Sequence, residues 1–172
     1  MELLEAISKR RSIRAYTDEK VSEAKLEMIL KAGCAAPVGR SLYEKMHITV
    51  IQEKSLLKEI SEAMKANMHM EDDPFYNAST LILVSASEMP YPGVETADTA
   101  CILENMMLEA TEQGLGSVVI WGSGMTVNHV PGLRQKAGIP DGYSAVSGIV
   151  VGERAMEVEP KELTYSININ RV

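Results

Sequence analysis

Four cationic side chains crowd into residues 9–14, which read Lys-Arg-Arg-Ser-Ile-Arg in a chain whose formal net charge is -7. The residues before this segment have the apolar spacing of a short helix, and those after it turn extended. In an extended segment the side chains of Arg10, Ser12 and Arg14 share one side, whereas Arg11 points to the other. Two guanidinium groups and a hydroxyl that converge suit a phosphate; the alternative is a solvated basic turn.

The overall charge balance favours a small phosphorylated ligand over a polyanion. The 24 acidic residues outnumber the 17 basic ones, whereas chains that bind nucleic acid or membrane surfaces usually carry a positive balance. No N-terminal apolar run is long enough for a signal peptide or a membrane span. We therefore expect no nucleic-acid partner and no membrane association, and the isolated Cys34 and Cys101 favour a reducing, cytoplasmic location.

Length and apolar periodicity predict one domain over residues 1–172, with 45% hydrophobic residues to form its core. Ser22 is expected to cap a helix that ends near Gly33, and Thr96 or Asp98 to cap a longer one through Gln113. A further helix is predicted at 55–64, followed by an irregular connection.

Strands are predicted at 46–51, 81–84, 117–121 and 145–151, with glycines at 122 and 124 interrupting the end of the third. Trp121 is expected in the core unless it stacks on a ligand. Residues 165–169 alternate as an extended piece that needs another chain to pair with. Helices and strands alternate without a strict βαβ cadence, which indicates an α+β fold.

An ordered series of motifs resembles those of the FMN-dependent nitroreductase family. The opening Arg-Arg-Ser-Ile-Arg of residues 10–14 is similar to the family's Arg-Arg-Ser-x-Arg signature, and Ala-Pro-Val-Gly at 36–39 is similar to its Ala-Pro-Ser-Gly loop. Further similar motifs occur in the same order at 73–78, 105–108, 114–117 and 138–143. The resemblance extends from Leu3 to Val172.

The resemblance implies a nitroreductase-like fold, with a central mixed or antiparallel sheet flanked by helices, in an intertwined homodimer that binds FMN at the subunit interface. It assigns the FMN phosphate and ring to the opening motif, and a second set of ring contacts to a loop of the other subunit. It also implies that a basic residue near the C-terminus, Lys161, reaches the phosphate. Arg154 and Arg171 are alternatives to Lys161 in this role. The implied cofactor-binding residues are Arg10, Arg11, Ser12, Arg14, Val38, Gly39, Ser41, Ile120, Trp121, Gly122 and Lys161.

The implied activity is an FMN-dependent NAD(P)H oxidoreductase that reduces small acceptors, such as nitroaromatics or quinones, by a ping-pong mechanism. No catalytic side chain is required, because the flavin carries the chemistry. The alternatives are a flavin-binding sensor or storage protein with little turnover, and a divergent flavoenzyme such as a dehalogenase or a flavin-cleaving enzyme. The three histidines have no paired ligand spacing, so we expect no metal site.

Overall fold

The computed structural model, which describes residues 1–172, has a four-stranded sheet with helices on both faces. The strands follow the order β1-β2-β4-β3, and every neighbouring pair is antiparallel. The predicted α+β class with an antiparallel sheet is confirmed. The helices are α1 (Leu3–Lys9), α2 (Glu23–Cys34), α3 (Lys54–Met68), α4 (Val94–Glu112), α5 (Gly122–His129) and α6 (Leu133–Lys136), and the strands are β1 (Met46–Ile51), β2 (Thr80–Ala86), β3 (Gly116–Val119) and β4 (Ser144–Gly152).

The sheet separates two hydrophobic cores, because alternate residues of a strand point to opposite faces. In β2, which is buried throughout, Leu81 and Leu83 belong to a cluster of 18 buried residues shared with α3, α5 and α6. Ile82 and Val84 belong to a second cluster of 15 buried residues shared with α2 and α4. We call these the first core and the second core. Each helical layer therefore buries its apolar side on a different face of the same strands.

Helices α2 and α4, which pack on the second core, each begin after a short polar or flexible residue. The Ser22 side chain accepts a hydrogen bond from the backbone of Lys25 and caps α2, as predicted. The prediction for α4 was wrong at its start: the helix begins at Val94 after Gly93, which adopts a left-handed φ of 89°. Asp98 consequently lies inside the helix rather than at its cap.

The first layer departs further from the sequence prediction. Helix α3 continues to Met68, four residues beyond the predicted end. Residues 122–129 form helix α5, whereas the glycines there were expected only to interrupt a strand. β3 ends at Val119, and Trp121 is 64% exposed, so its expected place in the core was wrong.

The C-terminal residues 157–172 form neither helix nor strand within the chain. Their apolar side chains face solvent: Tyr165 is 82% exposed, Ile167 79% and Ile169 58%. The extended segment expected at 165–169 thus has no partner strand in a single chain. No helix of the structure combines the length and apolar character needed to cross a membrane.

Candidate functional site

The basic segment of residues 10–14 runs as an extended arm beside the outer edge of β3. The Ile13 N–H donates to the Ser117 carbonyl oxygen at 3.1 Å, and Ser12 and Ser117 form an isolated parallel bridge. Ile13 is buried in the first core, whereas Ser12 and Arg14 on either side of it are exposed. The alternation expected of an extended arm is present, and it turns the Ser12 hydroxyl and the Arg14 guanidinium away from the core.

A buried tyrosine, Tyr16, holds the arm through a hydrogen bond to its backbone. The Tyr16 hydroxyl donates to the Ile13 carbonyl oxygen at 2.9 Å, and the main chain around Tyr16 bridges to Arg154 after β4. Burial, followed by the influence of Tyr76, raises the pKa of the Tyr16 hydroxyl above its ordinary value of 10.0, which the Arg14 charge partly opposes. Tyr16 therefore remains a neutral donor and holds the arm in place.

The other cations of the arm make defined contacts with the rest of the chain. The half-buried Arg10 side chain reaches towards α4, where its Nε lies 3.8 Å from Oε1 of Glu104. Arg11 donates from Nη1 to the carbonyl oxygen of Glu159 at 2.7 Å. The arm is thus attached to α4 on one side and to the C-terminal segment on the other.

Lys161 joins the arm through the last turn of α1. Its backbone N–H donates to the Ser8 carbonyl oxygen at 2.9 Å, and the Ser8 hydroxyl donates to the Lys161 carbonyl oxygen at 2.7 Å. These two bonds place Lys161 beside the turn that precedes Arg10. Residues separated by about 150 positions in the sequence are therefore neighbours. We call Arg10, Arg11, Arg14 and Lys161 the basic group, in which only Arg10 forms an ion pair with an acidic side chain.

The second predicted element, residues 38–41, is a tight turn next to α4. Val38 is buried in the second core, and the Ser41 N–H donates to the Val38 carbonyl oxygen at 2.9 Å. Arg40 and Ser41 both adopt left-handed φ values, 55° and 56°, which cost residues with a side chain about 1–2 kcal/mol each. An outside contact holds this turn: the Gly39 N–H donates to Oδ1 of Asp98 at 2.9 Å.

An apolar cleft of about 300 Å³ opens beside this turn. It lies between the end of α2, the outer strand β1 and helix α4, with the exposed Cys34 at its rim. The turn consequently borders an apolar surface on one side. The lining residues are Gly33, Cys34, Val38, Tyr43, Met46, Ile48 and Ile102.

The third predicted element, residues 120–122, forms the junction between β3 and α5. Ile120 is buried in the first core and Trp121 projects into solvent. A side chain at the buried Gly122 would meet Sδ of Met68 at 2.6 Å, so the space left by this glycine is filled by α3. Its missing Cβ gives room to the Met68 side chain of α3, and the flavin contact implied for residues 120–122 stays a prediction.

The arm and the β3–α5 junction both adjoin strand β3. The arm bridges to β3 at Ser117, and Tyr16, two residues after Arg14, bridges to Arg154, which follows β4 beside the start of β3. The junction follows the other end of the strand, after Val119. No hydrogen bond or ion pair joins the turn at 38–41 to the arm. Helix α4 touches both, through Asp98 and Glu104, and these two contacts were not anticipated from the sequence.

Comparison of the sequence with those of known proteins shows the family to which the chain belongs. The sequence model described as the Nitroreductase family matches residues 7–80 and 66–153, which is most of the chain. The chain belongs to the nitroreductase family. Nitroreductase membership agrees with the arm, the turn and the β3–α5 junction, all of which lie inside the matched residues.

Individual relatives agree in length and in fold. A protein of Archaeoglobus fulgidus whose name places it among the NADH dehydrogenase/NAD(P)H nitroreductases is 31% identical over 99% of this chain and 96% of its own. The FMN reductase [NAD(P)H] of Bacillus subtilis is 27% identical over 90% of this chain and 66% of its own. A crystal structure of a Bacteroides fragilis nitroreductase with bound FMN is 28% identical, covers 99% of this chain and 100% of that chain, and superposes with a TM-score of 0.86.

Proposed function

We propose that this chain is an FMN-dependent NAD(P)H oxidoreductase that reduces small acceptors, such as nitroaromatics or quinones, by a ping-pong mechanism. The observation that carries the proposal is the basic group on and beside the arm, whose Ser12 and Arg14 side chains are exposed beside the edge strand β3. Relatives named NAD(P)H nitroreductase and FMN reductase, and a related structure with bound FMN, support the choice of cofactor and electron donor.

The residues of the arm fit a flavin phosphate. Ser12 and Arg14 offer an exposed hydroxyl and guanidinium on one side of the arm, and Lys161 adds a cation beside the turn before Arg10. The carboxylate of Glu104, itself 50% exposed, lies 3.8 Å from Arg10, so a phosphate can replace it without leaving a buried charge unpaired. In this arrangement Arg10, Ser12, Arg14 and Lys161 hold the phosphate.

When bound, FMN supplies the hydride and electron transfer, and the protein supplies orientation and electrostatics. The exposed charge of Arg14 would favour negative charge on the ring. The backbone of Ile120, Trp121 and Gly122, at the junction after β3, would contact the ring. The donor and the acceptor would use the same exposed surface in turn, which is the basis of the proposed ping-pong kinetics.

We further propose that the active form is an intertwined homodimer in which Val38, Gly39 and Ser41 of each chain contact the flavin held by the arm of the other. The separation of the turn from the arm within one chain supports this arrangement. So does the C-terminal segment, whose exposed Tyr165, Ile167 and Ile169 have no partner in a single chain. We expect the enzyme to act in the cytoplasm, since its cysteines are free and exposed.

The first experiment is the visible absorption spectrum of the purified protein before and after anaerobic addition of NADH and then NADPH. We expect a flavin band that bleaches with one of the two and returns when a quinone is added. A band that persists with both favours a sensor or storage role. A protein that binds no FMN after reconstitution refutes the proposal.

The phosphate assignment is tested with Arg10→Ala, and with Lys31→Ala on α2 as a control for the same change in charge. Loss of a charge-assisted contact worth about 1.5–3 kcal/mol weakens FMN binding at least roughly tenfold. Riboflavin, which lacks the phosphate, should bind both variants as it binds the wild type. Stoichiometric FMN retained by Arg10→Ala at high dilution would refute the role of Arg10.

The dimer is tested by sedimentation of Ile167→Glu, with Asn168→Glu as the neighbouring control. A charge at the apolar position should shift the protein towards monomer and reduce bound FMN, whereas a charge at the polar position should leave both unchanged. A monomeric wild type that binds FMN stoichiometrically would refute the shared site.

A further inference from the structure

Asp98 is a buried carboxylate that the arm and the basic group leave unexplained. It lies in the second turn of α4, it is only 6% exposed, and no basic side chain forms an ion pair with it. Its Oδ1 accepts the Gly39 N–H at 2.9 Å. Its Oδ2 is fully buried and has no hydrogen-bond partner. A carboxylate in such a place loses hydration and needs a reason to be there.

The segment that Asp98 holds is the strained turn at 38–41. Arg40 and Ser41 in this turn have a left-handed backbone conformation, which residues with a side chain seldom adopt. The turn also has no room to move towards the helix, because a Cβ at Gly39 would lie 2.8 Å from Cγ1 of Val94. A charge-assisted bond to the first amide of the turn therefore fixes it against α4.

We propose that Asp98 is the positioning residue that holds the turn at 38–41 in the shape that contacts the flavin ring. The inference rests on the proposed function, since it assumes that this turn meets the ring. Asp98 acts through Gly39 and does not itself touch the cofactor. Its second oxygen faces the same turn, 3.5 Å from the position that a Cβ of Gly39 would take.

The test compares FMN with riboflavin, because the two flavins share the ring and differ in the phosphate. We would titrate each into purified wild type, Asp98→Ala, Asp98→Asn and the control Thr99→Val, and follow the quenching of flavin fluorescence. Thr99 is the next residue of α4, it is 1% exposed, and its hydroxyl likewise has no partner. Its substitution changes the polarity of the buried helix without removing a bond to the turn.

We expect Asp98→Ala to weaken FMN and riboflavin by the same factor, about tenfold, because the loss falls on the ring. Asp98→Asn keeps an oxygen acceptor but loses the charge, and should weaken both about threefold. Thr99→Val should bind both as the wild type does. The ratio of FMN to riboflavin affinity, which Arg10→Ala lowers, should stay constant in both Asp98 variants.

Three results would overturn the inference: unchanged affinity in a folded Asp98→Ala, loss of FMN affinity alone, or equal losses in Thr99→Val. If Asp98→Ala does not fold, Asp98→Asn decides together with hydrogen exchange of the Gly39 amide, which should be about threefold faster than in the wild type. Unchanged exchange would also overturn it. A wild type that binds neither flavin contradicts the proposed function instead, so the two failures are distinguishable.

Discussion

Two glycines near the start of α5, two positions apart, provide a sharp test of the packing. A Cβ at Gly124 would fall 2.6 Å from the carbonyl oxygen of Val146 and 2.9 Å from that of Ala145, both in the backbone of β4. A Cβ at Gly122 would instead meet Sδ of Met68, also at 2.6 Å. The shortest contact of the added Cβ is therefore the same at the two positions, but its partner is backbone at Gly124 and a side chain at Gly122.

The β4 backbone that faces Gly124 cannot move away from an added side chain. Val146 lies at the irregularity in the pairing of β2 with β4, and this point is clamped by Asn128, whose side-chain amide donates to the Ala145 carbonyl and accepts the Ala145 N–H. Overpacking of this kind costs about 3 kcal/mol at the upper end of its usual range. Alanine's better helix propensity returns about 1 kcal/mol, which leaves about 2 kcal/mol, or about 4–8 °C in Tm for a chain of this size.

At Gly122 the neighbour is a flexible thioether on a side chain that is 42% exposed, so it can rotate away. We therefore expect Gly122→Ala to stay within about 1 kcal/mol of the wild type. Urea unfolding and thermal melts of the two variants, measured at one protein concentration, give the comparison. Equal stabilities for the two variants would refute the argument that β4 cannot yield.

Two further predictions concern buried hydrogen-bonding groups. Because burial raises the pKa of Tyr16, the stability that its neutral hydroxyl contributes is present below pH 10 and is lost as the pH rises further. Relative to Tyr16→Phe, the wild type should lose about 1 kcal/mol of unfolding free energy between pH 10 and pH 11 in urea titrations, and a constant difference would contradict this. Asn128→Ala leaves the buried N–H and carbonyl of Ala145 without partners and should lower the free energy of unfolding by about 2–4 kcal/mol; the exposed Asn67→Ala is the control, and similar losses in both would count against the clamp.

Local sequence was sufficient wherever periodicity and caps agreed. β1 begins and ends where predicted, at Met46 and Ile51, and α2 starts at the residue after the predicted Ser22 cap. The extended course of the arm was also predictable, since one buried isoleucine alternates with polar residues. These features depend on neighbours within a few positions, which is the range that a sequence pattern reports.

The features that the sequence did not predict depend on contacts between distant segments of the chain. Helix α5 contains two glycines and β-branched residues, a poor helix former in isolation, and it packs closely on β4 only because Gly124 has no side chain. The bond from Gly39 to Asp98 joins residues 59 positions apart, and that from Ser8 to Lys161 joins residues 153 positions apart. No local pattern marks these pairs, so the holding contacts of the site could not be found from the sequence.

The two cores separate the parts of the site in a way that bears on divergence. The arm is anchored through Ile13 and Tyr16 in the first core, and Ile120 lies in that core too, whereas the turn is anchored through Val38 in the second. Distant, independently packed positions accumulate substitutions with nearly additive effects. One face of the sheet can therefore be remodelled over generations, changing the proposed ring contacts of the turn, while the proposed phosphate contacts of the arm on the other face stay intact.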